Sequence, residues 1–480
     1  VGGLVGKSWG TGTGAGQFST IKNNYSRATI TTSADNVAGV VGYAGYTKLL
    51  SNYFAGVAND TDGAATERGI VGTDWGSNTI TDNFYDTEVC VAASSQCSTG
   101  VIAEARGIDT TAMKSVASFL RTGGWDFRTV WTMPGQVYAG QYPVFLWESG
   151  QSALAVAYGG GNGTSSTPYL IGNASQYYSW MNDSDDWINS SYFRLTGNIN
   201  MGGAHVAQIG NAAKPFNGTF DGAGFTVSNM LIDGTADESQ VGFFGNISAT
   251  GAVDHLVLSS ITVRGNGSLG GVAGYSAGKV SRTGVSGNSL IESSTSTGDL
   301  GGVTGYQYKP GLIEDSFSGS SVTIRNLAGG YNLGGITGQA MGTATSAGNA
   351  VTIRNSYSHA SITANGVAMG GILGYAGYAT VSSNYFAGIV NDTSGTDNER
   401  GVVGYDWSQN TLLNNFFDTD VCTTGSGCAS SVYVEARPRN TVQMKSVATY
   451  LRTGAWDFLT KWTTPGQVYN GQYPVLLWEA

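Results

Sequence analysis

Gly370-Gly371-Ile372-Leu373-Gly374 is the stretch on which the fold of this chain turns. An apolar pair framed by glycines means little once. Here it recurs as Val241-Gly242-Phe243-Phe244-Gly245, Gly270-Gly271-Val272-Ala273-Gly274, Gly301-Gly302-Val303-Thr304-Gly305, Gly334-Gly335-Ile336-Thr337-Gly338 and Gly401-Val402-Val403-Gly404. The closing glycines Gly245, Gly274, Gly305, Gly338, Gly374 and Gly404 follow one another at 29, 31, 33, 36 and 30 residues. Earlier in the chain the same anchors end at Gly6, Gly42 and Gly72. Alternating segments such as Ala350-Val351-Thr352-Ile353-Arg354 and Ser361-Ile362-Thr363-Ala364 occupy the intervals and read as strands. A period of about 30 residues with strands in every copy makes each copy one coil of a solenoid. Coils stack at strand spacing, about 4.8 Å, so equivalent residues superpose in ladders. The apolar pair then fills the interior, and the glycines supply positive φ or a close backbone approach where the coil turns. The expected fold is all-β: right-handed parallel β-helix units with short capping helices, arranged in tandem.

The tandem arrangement rests on a longer repeat. Ser51-Asn52-Tyr53-Phe54-Ala55-Gly56 returns as Ser383-Asn384-Tyr385-Phe386-Ala387-Gly388, an offset of 332, and Cys90 maps onto Cys422 at the same offset. Beyond the cysteine loop the offset is 331, and Trp125, Trp131 and Trp147 map onto Trp456, Trp462 and Trp478. Residues 1–150 therefore read as the C-terminal part of one unit and residues 168–480 as a complete unit. Residues 151–167, containing Gly159-Gly160-Gly161-Asn162-Gly163, read as a Gly/Ser-rich linker. The opening Val1-Gly2-Gly3-Leu4-Val5-Gly6 aligns with Leu333 to Gly338, inside a unit, which points to a fragment of a longer repeating polymer. The alternative is that another subunit's strand edge completes the stack, so self-association is the first expected partner interaction.

Composition narrows the functional classes. The 480 residues include 73 Gly and only 12% charged residues, with 41% apolar, the opposite of a disordered balance. A net charge of −10 disfavours nucleic acid as a partner. No apolar run approaches the length that spans a bilayer. Four cysteines fall in two local pairs, Cys90 with Cys97 and Cys422 with Cys428. Their spacing lacks the tight pairs or neighbouring His of a metal site, so disulfides in an oxidising compartment are favoured over free thiols. Asn-x-Ser/Thr sequons stand at Asn24, Asn59, Asn162, Asn173, Asn182, Asn189, Asn217, Asn246, Asn266 and Asn391. They suit an extracellular surface, although a chain rich in Asn, Ser and Thr also generates them by chance.

Open solenoid ends invite aggregation and need covers. Residues 109–121 carry Met113, Val116, Ala117 and Leu120 at helical spacing, with Asp109 or Thr110 as N-cap and Gly123 past the end. Met444, Val447, Ala448 and Leu451 repeat the stripe after Asn440. Ala174 to Trp187 reads as an entry helix presenting Tyr177, Trp180 and Met181 inward.

These residues together resemble the GLUG-motif family of prokaryotic surface proteins. Pro168 to Ile171 followed by Tyr192 to Ile199 is similar to that family's domain entry, and Phe216-Asn217-Gly218-Thr219-Phe220-Asp221-Gly222 to its "GTFDG" segment. Asn83 to Glu88 and Asn415 to Asp420 resemble "YWDTETSG", and Gly140 to Pro143 with Trp147 resembles the closing "GYPYLxW". The resemblance implies large exported, adhesin-like solenoids akin to filamentous haemagglutinin, with no catalytic residues and no cofactor. The cysteine loops depart from the family's pattern.

An enzyme is the serious rival, because β-helices also host carbohydrate-active enzymes. Its candidates are Glu67, Arg68 and Asp74, repeated as Glu399, Arg400 and Asp406, since paired carboxylates serve acid–base chemistry on sugars. Their recurrence favours an Arg–carboxylate contact at a coil corner. His205, His255 and His359 sit in unrelated contexts and read as surface residues; Arg27 replaces His359 in the first unit. Asp86/Glu88 and Asp418/Asp420 offer oxygen ligands for Ca²⁺, but a solvated turn beside the disulfide is the preferred reading. Most of the 25 Tyr and 11 Trp adjoin apolar repeat positions and read as core, though aromatics on a solenoid face also stack sugars. Thr-rich ice-binding arrays are absent, since Ala28-Thr29-Ile30-Thr31-Thr32 is isolated. The sequence thus points to a secreted, non-enzymatic structural or adhesive repeat of a cell-surface fibre, with a glycan-binding adhesin as the second reading.

Overall fold

The computed structural model describes residues 1–480 except 34–35, 62–67, 91–96, 98–104, 121, 123, 128, 149, 155–156, 235–237, 296, 327, 330–331, 347, 366–367, 394–398, 423–427, 429–435 and 480. They form two compact units, Val1–Val156 and Ala157–Ala480. Each is a parallel β-solenoid.

In the second unit a coil runs through short strands, for example Ala368–Gly370, Leu373–Gly377, Ala379–Ser382, Tyr385–Phe386 and Ile389–Asp392. The next coil repeats the path and pairs with it in parallel, Leu373 on Val403, Val381 on Leu412 and Tyr385 on Phe416. Two six-stranded ladders and one 21-stranded sheet result. The anchor pairs line the interior: Phe243, Val272, Val303, Ile336 and Ile372 are fully buried, and Val402 and Val403 are 1% and 2% exposed. The first unit stacks Val5–Trp9, Val41–Gly45 and Val71–Asp74 in the same way.

In the second unit the anchor glycines act through close approach, not positive φ. A Cβ on Gly305 would lie 2.5 Å from the Leu269 nitrogen and 2.7 Å from the Gly274 carbonyl oxygen. Gly371 and Gly401 leave room for interior rings instead, since a Cβ there would sit 2.2 Å from Phe386 and 2.1 Å from Phe417. The left-handed turns fall on other residues, among them Ser51, Asp82, Ser383 and Asn414, with φ of 54° to 58°. Small polar side chains tolerate that region by bonding to nearby backbone.

Three expectations change. First, each predicted cap helix is two short ones, Thr110–Met113 with Val116–Leu120, and Thr441–Met444 with Val447–Leu451. The break has a backbone cause: the Lys114 carbonyl accepts from Gly140 N–H and the Val116 N–H donates to Tyr138, a pattern repeated by Lys445 with Gly471 and Val447 with Tyr469. In the second copy Met444, Val447 and Tyr450 are buried, whereas Ala448 and Leu451 are exposed. Second, these C-terminal segments form straps on the solenoid's outer flank. Along Tyr385–Phe386 successive side chains point to opposite faces: Phe386 enters the interior against Gly371, while Tyr385 meets Tyr450, Trp456 and Trp462. Third, residues 157–163 belong to the second unit. Tyr158 stacks on Tyr169 at 4.2 Å, Gly159 and Gly160 bond to Leu170, and the Gly163 carbonyl accepts from Tyr192 N–H. The entry segment is two helices, Ala174–Met181 and Ser184–Ile188. Trp180 packs on Phe220 at 5.0 Å and on Phe193 at 5.1 Å, close to Phe243 and Phe244. It plugs the N-terminal end of that unit's core.

Candidate functional site

Of the residues with acid–base potential, Glu67 lies outside the described residues, and for Glu399 only the backbone is described, in the strand Glu399–Arg400. Asp74 and Asp406 brace turns: Asp74 Oδ1 accepts from Gly76 N–H at 2.7 Å and from Asn78, and Asp406 Oδ1 accepts from Asn410. Among the described residues no three His, Cys, Asp or Glu side chains converge as a metal site would require.

The acidic segments beside the cysteines are only in part solvated turns: Glu88 and Asp420 are exposed. Asp86 and Asp418 are fully buried. Asp86 accepts from Thr110 Oγ1 at 2.8 Å, from Tyr142 Oη at 2.6 Å and from the Glu88 and Val89 N–H groups. Asp418 accepts from Thr441 Oγ1 at 3.0 Å, Tyr473 Oη at 2.6 Å and the Asp420 N–H. Glu88 and Asp420 accept from the Thr110 and Thr441 N–H groups. These carboxylates tie the last coil to the first turn of the strap. Disulfides join Cys90 to Cys97 and Cys422 to Cys428 directly after them, with Cα atoms 5.5 and 5.6 Å apart.

A second tie closes the strap. Glu148 accepts from Tyr25 Oη at 2.9 Å, and Glu479 from Tyr357 Oη at 2.7 Å. Burial pushes the Glu479 pKa up to about 7 despite the Tyr357 bond. Between strap and coil the first unit places Arg27, which donates to Tyr53 Oη at 2.8 Å and lies over Tyr25 and Tyr142. The second unit places His359 there, its Nε2 at 3.0 Å from Tyr385 Oη, among the rings of Tyr357, Tyr385 and Tyr473. His359 is thus a packed residue, contrary to the surface reading, and burial pushes its pKa down to about 4. His255 is half-buried, edge-on to Trp478 at 5.5 Å.

The strap of the second unit also borders a charged cleft of about 420 Å³, lined by Asp254, Arg282, Glu314, Asp315, Lys461 and Trp478 among others. Its charges are mutually paired. Arg282 forks onto Asp254, Lys279 and Arg354 flank Glu314 at 2.9 and 2.6 Å, and Lys461 meets Asp315 at 2.6 Å. Burial alone would raise the Asp254 and Glu314 pKa values. The bonds from Arg282 and Ser281, and from Lys279 and Arg354, outweigh it and hold both carboxyls below the ordinary range. Carboxylates paired in this way with cations on neighbouring coils act as a clamp.

Two features escape a reading of the sequence. One is a buried asparagine ladder. Asn52 and Asn384 are fully buried; Asn384 Oδ1 accepts from Ser356 N–H at 2.9 Å, and its Nδ2 donates to Ile353 O and Asn415 Oδ1. The signal was the repeated Asn before an aromatic pair, Asn52-Tyr53-Phe54, Asn83-Phe84-Tyr85, Asn384-Tyr385-Phe386 and Asn415-Phe416-Phe417. The other is exposure: Trp9, Trp75, Tyr405 and Trp407 stand on the surface, where a core position was expected. Among the sequons, Asn246 is buried and donates to Gln240, so it is no surface acceptor. Asn24 and Asn217 donate to backbone carbonyls, and Asn173 caps the helix Ala174–Met181. Asn162 and Asn189 are exposed, and Asn59, Asn182, Asn266 and Asn391 are half-buried.

No family model matches the chain. Halomucin of Haloquadratum walsbyi is 29% identical over 178 residues, 36% of this chain and 2% of that protein. A "Putative Gly-rich membrane protein" of Evansella cellulosilytica is 29% identical over 150 residues, 29% of this chain and 17% of that protein. The chain thus spans a small part of the curated relatives it matches. Among solved structures, a "putative immunoglobulin A1 protease" of Bacteroides ovatus shares 18% identity with a TM-score of 0.42, over 67% of this chain and 96% of that one.

Proposed function

We propose that the chain is a non-enzymatic structural repeat of an extracellular cell-surface protein, each unit a strapped solenoid. The observation that carries this reading is the duplicated strap. In both units the carboxylates and the aromatic cluster join the strap to the coils, so these groups hold the fold in place of presenting reactive atoms. Similarity to halomucin and to a Gly-rich membrane protein supports a surface location. The glycine-framed motif supports placement with GLUG-type exported repeats, and the disulfides suit an oxidising exterior. Among the described residues no helix is long and apolar enough to cross a membrane.

Antibody labelling of intact, unpermeabilised source cells tests location, with strong labelling expected. Incubation of the purified chain with a panel of polysaccharides tests the chemistry. Release of reducing ends that disappears in Asp406→Asn would replace the structural reading with an enzymatic one.

A further inference from the structure

The strands Thr337–Met341, Leu373–Gly377 and Val403–Ser408 lie side by side and align Gln339, Tyr375 and Tyr405 on one outward column. Tyr375 and Tyr405 stack at 5.3 Å. One step further the register slips: Ala376 pairs with Asp406 but Gly377 with Ser408, leaving Trp407 as the extra residue of a bulge. Bulges re-aim side chains, and here the bulge holds Trp407 51% exposed beside Tyr405 at 49%. Gly377 makes space beneath the indole. A Cβ there would come 3.3 Å from Trp407 and 2.7 Å from Met341 Sδ.

The first unit has Trp75 at the Trp407 position and Gly45 at the Gly377 position. Trp75 is 56% exposed and meets Trp9, ring centroids 4.7 Å apart, across Gly45, where a Cβ would sit 2.5 Å from the Trp9 ring. Large aromatics held half in water by a dedicated bulge and glycine are a binding-surface signature. In the second unit they face a groove of about 720 Å³ whose other lining includes Asp299, Asn332 and Gln339. Asn332 donates to Asp299 at 2.6 Å. No hydrogen bond among the described residues uses the Gln339 amide.

We propose that this groove binds the pyranose rings of a neutral polysaccharide, with Tyr405 and Trp407 stacking on C–H faces and Asp299, Asn332 and Gln339 bonding the hydroxyl edges. A pyranose offers an apolar face bounded by hydroxyls, and the groove offers aromatic faces bounded by amides and a carboxylate. Charge selects the class. Among the described lining residues Asp299 is the one carboxylate and none is a cation, and the chain carries −10, so acidic glycans are repelled. In the first unit Lys7 stands at the Gln339 position, with Nζ 5.1 Å from the Trp9 ring and 5.3 Å from Tyr43, the residues at the Met341 and Tyr375 positions. The binding reading goes beyond the structural one and is independent of it, since a solenoid without a ligand and a solenoid with one share the same fold.

Native affinity electrophoresis of the full chain through gels containing a soluble β-glucan, a mannan, a galactan or polygalacturonate tests the site. At least one neutral polymer should retard the chain, and polygalacturonate should not. Trp407→Ala with Tyr405→Ala should weaken that retardation at least tenfold with an unchanged circular-dichroism melt. Gln339→Lys, which imitates Lys7 and leaves the aromatics in place, should weaken it as well. Retardation by none of the neutral polymers, or retardation that survives both folded variants, overturns the proposal. So does a protein ligand that engages the same residues while all four glycans fail.

Discussion

Removing one amide from the asparagine ladder tests whether buried polar contacts, beyond the apolar anchors, hold the coils in register. In Asn384→Ala the Ser356 N–H loses its acceptor at 2.9 Å and the Ile353 carbonyl loses its donor at 3.1 Å, both without solvent replacement because the position is fully buried. Each buried group left unsatisfied costs about 1–3 kcal/mol, so the variant should lose about 2–6 kcal/mol. Asn415 suffers less, because its Oδ1 still accepts from the Asn384 N–H at 3.1 Å. Asn24→Ala is the internal control. Its amide bonds are solvent-accessible or shared with Asn52, and its loss should stay below about 1 kcal/mol. Asn384→Asp keeps the acceptor for Ser356 but sets a carboxylate against Asn415 Oδ1 with no compensating cation, and should cost at least as much as alanine. Urea unfolding of the full chain, followed by far-UV circular dichroism, measures all three. Equal midpoints for Asn384→Ala and Asn24→Ala would refute the reasoning and leave the anchors alone in charge of register.

Replacing Val402 and Val403 by Asp buries two unpaired carboxylates beneath Ile372 and Leu373 and should cost several kcal/mol, about the scale of losing one coil interface; an unchanged melt would contradict it. His359 has a folded pKa of about 4 against an unfolded value near 6.5, so its contribution is complete above pH 6.5 and falls by about 2 kcal/mol on going to pH 5. Glu479, raised to about 7, runs the other way: its contribution is complete below pH 4.5 and is lost as pH rises through 7. The two offset each other in the native chain, with Lys445 the nearest added cation on His359, so urea midpoints of His359→Phe should fall more steeply between pH 5 and 7 than those of the native chain. Cys422→Ser with Cys428→Ser opens a short loop and should cost about 2 kcal/mol or less, while alkylation of the native chain without reductant should leave its intact mass unchanged.

Coil number, coil interior and tandem duplication were legible because each depends on residues at fixed sequence intervals. Val303 and Ile336 are interior for the same local reason, and a period near 30 residues forces the parallel stack. The strap was legible as helices but not as a strap. Its position follows from Tyr385 and Phe386 pointing to opposite faces, and its break from backbone bonds between Val447 and Tyr469, neither of which a helical stripe records.

By itself the sequence determined the solenoid, its apolar ladders and the local pairing of the cysteines, because stacked repeats convert short-range pattern directly into contact. Tertiary structure alone decided which aromatics are core and which are surface. Trp462 and Trp407 read alike along the chain, yet one is buried within the strap against Tyr385 and the other is turned outward by a single bulged residue over Gly377. A one-residue slip in register reverses the face of everything it carries, and register is a property of the neighbouring coil.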